Sequence, residues 1–174
     1  MRLQIEETAE KLLADLGISE IPVAVEAVAT SQGMTVTRLR SEGSESGFAM
    51  SRGSVQVIGV NKSHSFKRQR FTIAHEIGHL LMHHQAGDSL IVDNTVRVNF
   101  RDDLSSLATN EQEIEANAFA AALLMPRSLV LREVRAAYSP STNYNQLVTD
   151  LARRFNVSAE AMGFRLLNLG LASA

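Results

Sequence analysis

The chain contains no cysteine, which excludes disulfides, a thiolate metal site and a cysteine nucleophile. Any metal would have to be held by histidine, aspartate or glutamate. An excess of charge of either sign is lacking too: 17 Lys and Arg against 19 Asp and Glu leave a formal net charge of −2, so the surface as a whole gives no electrostatic case for nucleic-acid binding. No apolar run approaches the roughly 20 residues that span a bilayer. Repeats and low-complexity tracts are also missing. The N-terminal MRLQIEETAEKLLADLG is an acidic amphipathic stretch and lacks the pattern of a signal peptide. The expectation is a soluble, cytoplasmic protein without membrane contact. Residues 1–174 read as a single domain, long enough to bury roughly 70% of the surface exposed by the unfolded chain.

Periodicity sketches the elements. Residues 3–16 read as a helix with Leu3, Leu12, Leu13 and Leu16 on one side and Gly17 as its stop. A second helix runs from Ile21 to Gln32, opening near Pro22, and Met34 to Leu39 alternates as a strand. SEGSESG, 41–47, reads as a polar loop. FAMS and SVQVIGVN read as two strands joined at Arg52-Gly53. A helix from Ser65 to about His84 follows. Residues 87–110 are polar and irregular apart from a possible hairpin, SLIV-DN-TVRVNF. Glu111 to Met125 forms a strong helix that Pro126 ends, and further helices fall at 127–138, 143–155 and 158–169. Strands cluster early and helices late, the pattern of an α+β fold.

What is abundant is histidine in one place. AHEIGHLLMHH, residues 74–84, holds four of the five histidines of the chain. His75 and His79 stand four apart and project side by side from one helix face. Two imidazoles so placed can hold one metal ion at about 2.0–2.1 Å. Glu76 follows about 100° round the helix, where it can border the ion and reach a water there. Zinc lowers the pKa of a bound water to about 7, and a nearby carboxylate can take its proton as the water attacks a carbonyl. His83 and His84 suit the negative end of the helix and are read as ordinary surface residues.

Three protein ligands and one water make the usual catalytic zinc set. Ten residues after His75, where one class of such enzymes places a third histidine, stands Gln85. A carboxylate from another helix is therefore needed, and NEQEIEANAFAAALLMP offers Glu111, Glu113 and Glu115. Glu113 shares a stripe with Ala116, Asn117, Ala120, Ala121 and Leu124, small residues that let a second helix approach closely. Glu115 points roughly 200° away, with Phe119, Ala122 and Leu123. Glu113 is preferred as the ligand, with Glu115 the alternative and Asn117 a residue that could orient a ligand. The donor set suits Zn²⁺; Mn²⁺ and Fe²⁺ are compatible with it.

RFTIAHEIGHLLMH followed by EIEANAFAAALLMP resembles the ImmA/IrrE metallopeptidases, with the likeness running from about Glu10 to Leu171. The resemblance implies a zincin-like fold in which the HEIGH helix packs beneath a small sheet. It implies Zn²⁺ held by His75, His79 and a glutamate of the second block, with Glu76 as base. Glutamate-zincins more widely use E-x-x-x-D or a variant, which fits Glu113 and Asn117. The resemblance further implies cleavage of a helix-turn-helix repressor, relieving repression of mobile-element or stress-response genes. Several members carry an additional domain, and this chain reads as the peptidase core alone. A repressor-binding protein without catalysis is the alternative.

Tyr138, Tyr144, His64 and Arg70 are candidates for a second group that stabilises an oxyanion. The strand SVQVIGV could be a sheet edge on which an extended peptide adds, and loops 41–47 and 87–110 could gate a cleft. LARRFNVSAEAMGFRLLNLGL, 151–171, could pass for helix–turn–helix with Ser158 as N-cap. Its second helix is mostly apolar, and Arg153, Arg154 and Arg165 are few for phosphate contacts, so direct nucleic-acid binding is not expected. The oligomeric state stays open.

Overall fold

The computed structural model describes residues 2–40, 46–82, 89–93, 105–137 and 143–171. Helix α1 (Arg2–Asp15) buries Ile5, Ala9 and Leu13, spaced four apart. The expected stripe differs in part, since Leu3 is 72% exposed while Leu12 and Leu16 are partly buried against the core. Gly17 ends the helix at φ 66°, a conformation that costs glycine little. Helix α2 (Val25–Ser31) is shorter than the expected Ile21–Gln32. The carbonyl of Val23 accepts hydrogen bonds from the Val25 amide and the Arg70 guanidinium. That part of the segment thus satisfies its backbone outside an α-helical turn.

Strands β1 (Met34–Leu39), β2 (Gly47–Arg52), β3 (Val55–Asn61) and β4 (Ser89–Asp93) form a sheet of order β1-β3-β2-β4. β2 and β3 make the expected hairpin, with Arg52 paired to Val55 and the turn at Gly53-Ser54, one residue later than expected. β1 runs parallel to β3, and β4 antiparallel to β2. β3 is therefore central, which corrects its reading as a peptide-accepting edge. The physical reason is its near-continuous apolar run, which suits a strand covered on both faces: Ile58, Gly59 and Val60 are all buried. The Phe48 ring lies over Gly59, its directly paired neighbour. Residues 89–93 of the expected 89–100 hairpin are strand β4, and its second arm lies outside the described residues, as do 41–45 of the polar loop.

Helix α3 (Phe66–Met82) crosses beneath β2 and β3 and is buried from Gln69 to Leu80 except at Phe71. Its far side packs on α4 (Ser105–Leu124), which starts six residues earlier than the expected Glu111. α4 in turn packs on α1. Helices α5 (Arg127–Ala137), α6 (Tyr144–Phe155) and α7 (Ala159–Asn168) follow closely the expected ranges. Asn143 caps α6 by accepting from the amides of Asn145 and Gln146, and Ser158 caps α7 by accepting from Ala161. Phe119, Leu123, Phe155, Met162 and Leu166 lie in the core that these helices share. Among the described residues no single helix is long and apolar enough to cross a membrane.

Candidate metal centre

His75 and His79 emerge from the same face of α3, 3% and 2% exposed. Their Nε2 atoms face each other at 3.0 Å, and the rings meet edge to face with centroids 4.6 Å apart. α4 brings a carboxylate to the same point: Glu113 Oε2 lies 3.2 Å from His75 Nε2, and Oε1 lies 3.1 Å from His79 Nε2. A tetrahedral ion with bonds of about 2.0–2.1 Å has ligand atoms roughly 3.3 Å apart. The three groups thus stand at nearly the mutual spacing that one such ion requires, and two nitrogens with one carboxylate are a donor set that divalent transition metals accept. Among the described residues this is the group of acidic and histidine side chains that could hold a metal. Glu115, the alternative, is not part of it.

The two imidazoles hold the Glu113 carboxyl down to about 2, chiefly through their hydrogen bonds to it, with partial burial acting in the opposite sense. A carboxylate so disposed is ionised throughout the neutral range and ready to bind a cation.

Two glycines set this geometry. A Cβ on Gly78, between the two histidines, would lie 3.3 Å from the Cα of Ala116 and 3.2 Å from the Phe119 ring. α3 and α4 therefore meet almost backbone to backbone, which lets the Glu113 side chain reach across. About 100° round α3 from His75, Glu76 is fully buried, next to the start of β2. A Cβ on Gly47, the first residue of β2, would lie 3.6 Å from Glu76 Oε1 and only 2.4 Å from the Thr72 methyl. Sequence reasoning missed both glycines. A glycine opening an otherwise apolar strand was the available signal for Gly47, because it often marks a close backbone approach.

The other candidates divide. Arg70 is buried, its guanidinium donating to the Val23 carbonyl at 2.9 Å. Burial pushes its pKa down, with the charge of Glu26 acting in the opposite sense, and its bond to the Val23 carbonyl joins α3 to the approach to α2. Tyr144 is half-buried and packs on the core at the start of α6. The carbonyl of His64 accepts from the Gln69 amide at 2.8 Å, just before α3. Tyr138, His83 and His84 lie outside the described residues. Asn117 is exposed on α4, where it lines a cavity together with Phe71.

Helices α6 and α7 do form a helix–turn–helix, with Asn156 left-handed at φ 55°. Its cations are engaged: Arg153 with Asp150, Arg154 with Glu133 and Arg165 with Glu6. Phe164 and Leu167, each 60% exposed, are the large side chains on the open face of α7, a poor match for a groove lined by phosphates.

A small sheet covering a helix that offers two histidines, with a carboxylate supplied by a second helix, defines a zincin-like α+β domain with a candidate site for a divalent metal. The chain belongs to the ImmA/IrrE family of metallopeptidases, the IrrE N-terminal-like domain matching residues 29–167. Over 112 residues, 63% of this chain, it is 34% identical to the radiation response metalloprotease IrrE of Deinococcus radiodurans, covering 30% of that protein. Over an equal length it is 35% identical to the radiation response metalloprotease IrrE of Deinococcus deserti, covering 35% of that protein. The chain spans about a third of the length of the curated relatives it matches.

Proposed function

We propose that the chain is a zinc-dependent endopeptidase of the HEXXH glutamate-zincin type. The observation that supports this most directly is the convergence of His75 Nε2, His79 Nε2 and the Glu113 carboxylate within 3.0–3.2 Å of one another. These three residues would hold the ion. When bound, zinc supplies Lewis acidity and brings the pKa of a water near 7.

The remaining work belongs to the chain. The Glu76 carboxylate accepts a proton from the attacking water, so that the oxygen forms a bond to the peptide carbonyl carbon. Glu76 then delivers that proton to the leaving nitrogen as the C–N bond breaks, and ends as it began. Its burial under β2 keeps competing bulk water away from the carboxylate. Asn117, exposed one helical turn beyond Glu113, is the residue we propose to orient that ligand. Among the described residues β4 borders the sheet beyond β2, and a substrate running along it as a further strand would be held by main-chain hydrogen bonds.

The substrate we propose is a helix-turn-helix repressor in the cytoplasm, whose cleavage relieves repression of stress-response or mobile-element genes. The support is family membership and the radiation response role named for the Deinococcus relatives. The test is incubation with the repressor encoded by the neighbouring gene, with and without chelator, read by mass spectrometry. Wild type should cut and chelation should stop it. Glu76→Gln should keep its zinc and lose activity by about 10²–10⁴ or more, the usual worth of general acid–base catalysis. Equal cutting by Glu76→Gln would overturn the mechanism. Repressor binding without cleavage by zinc-loaded wild type would make the chain a sequestering protein instead.

A further inference from the structure

Beside the metal centre a groove runs between α3, α4 and α7, and the reading of His75, His79 and Glu113 as that centre is its starting point. We propose that this groove selects the substrate: it takes a bulky apolar side chain, of leucine or phenylalanine type, adjacent to the bond that is cut. Phe71, Asn117, Ala121, Met125, Ala161 and Phe164 line a cavity of about 410 Å³. A second cavity of about 300 Å³ shares Phe71, Ser158 and Ala161 with it and extends it toward Ser65.

One ring contact and one helical spacing tie the groove to the site. The Phe71 ring stacks on His75 with centroids 6.4 Å apart and planes 30° apart. Asn117 stands one helical turn beyond Glu113 on α4. The mouth of the groove is therefore one side chain away from two of the three ligand residues, on opposite helices. A peptide carbonyl brought to the ligand atoms would have a neighbouring side chain within reach of Phe71.

The lining suits that occupant. Met125, 1% exposed, closes the floor, and Ala121 and Ala161 leave room between α4 and α7. Phe164 stands 60% exposed on the outer wall, a large apolar ring that gains by being covered. Asn117, Ser158, Glu160, Arg165 and Asn168 add polar groups to the lining, but the exposed wall of the cavity is mainly apolar, as in pockets where placed polar groups orient an otherwise apolar ligand. Arg165 at the groove is ion-paired with Glu6, while Lys67 and Arg68 stand only at the far, second cavity, where Arg68 donates to the Ser46 hydroxyl; the part of the groove at Phe71, Ala121, Met125 and Phe164 is the apolar part.

The test uses zinc-loaded full chain and three probes: the hydroxamates of N-acetylglycine, N-acetylleucine and N-acetylphenylalanine. Each offers the same metal-binding group, and affinities are read by calorimetry with no cleavage step. The leucine or phenylalanine probe should bind roughly ten- to a hundredfold more tightly than the glycine probe, the affinity expected from burying such a side chain. Ala161→Trp, which fills the groove, should bring that ratio toward one. Phe164→Ser, at a position 60% exposed, should lower it severalfold. Circular dichroism and zinc stoichiometry check that both variants keep the fold and the ion.

Zinc binding with no side-chain preference, or a preference that survives both substitutions, overturns the groove proposal and leaves the metal centre standing. Failure of wild type to take up zinc overturns the metal centre and the groove together. If Ala161→Trp alters the oligomeric state and leaves the ratio unchanged, the groove is a contact between copies and the proposal fails.

Discussion

The Cα of Ala116 lies 3.3 Å from the point where a side chain on Gly78 would begin. Gly78 sits between the two histidines on α3, and Ala116 one turn after Glu113 on α4. The helix spacing at this one contact therefore governs whether the Glu113 carboxylate reaches both imidazoles. Gly78→Val should force the helices apart, at about 1–3 kcal/mol for overpacking. Because metal geometry is intolerant of such shifts, zinc affinity should fall by a factor of ten or more. Competition against a chromophoric chelator measures it, and unchanged affinity in a folded Gly78→Val protein would remove Gly78 from this role.

The choice between the two glutamates can be made by zinc stoichiometry. Glu113→Ala should abolish tight zinc binding, because two imidazoles remain where three protein ligands are usual. Glu115→Ala should retain one zinc per chain. The reverse pattern would move the third ligand to Glu115.

Gly47 has even less room. A Cβ there would lie 2.5 Å from the backbone oxygen of Gly59, which cannot rotate away. Gly47→Ala should therefore shift β2 and cost stability by about 1–3 kcal/mol. Since the same strand covers Glu76, cleavage by the folded fraction should fall mainly in kcat, with KM little changed. Thermal unfolding and steady-state kinetics on the same preparation separate the two effects, and a fall confined to KM would place the role of Gly47 in substrate binding.

Periodicity and spacing made part of this molecule readable in advance. The four-residue step from His75 to His79 fixes their common face, and helical phase along α4 favoured Glu113, the glutamate that stands beside them. Ser158 as a cap and Gly53 in a hairpin turn carry signals written within a few residues. The order of the sheet is not written that way. β3 was open to reading as an edge because an apolar run does not say which strands flank it, and the parallel pairing of β1 with β3 depends on where α2 and α3 pack. The partner of Arg70, the Val23 carbonyl, lies 47 residues away in sequence, a pairing that no local pattern announces. Phe71 gave no signal beyond an apolar position in the helix, and only the packed structure shows its ring both stacking on His75 and lining the groove.

Acid should reveal the electrostatic coupling in the site without any metal. The Glu113 carboxyl is held at about 2 in the folded chain against an ordinary value of 4.5, through the hydrogen bonds from His75 and His79. A depressed carboxyl stabilises the folded state at pH above its unfolded value, and that contribution fades as pH falls through the interval toward the folded value. In chelator-treated protein, the stability difference between wild type and Glu113→Gln should hold steady above about pH 5 and shrink between about 4.5 and 2. Urea unfolding at a series of pH values measures it. The carboxylate is a third exposed, so water screens the interaction and the difference should be small; its direction with pH is the diagnostic. A difference that grew on acidification would mean that Glu113 favours the folded state in its protonated form, and the imidazoles would then not be donating to a carboxylate.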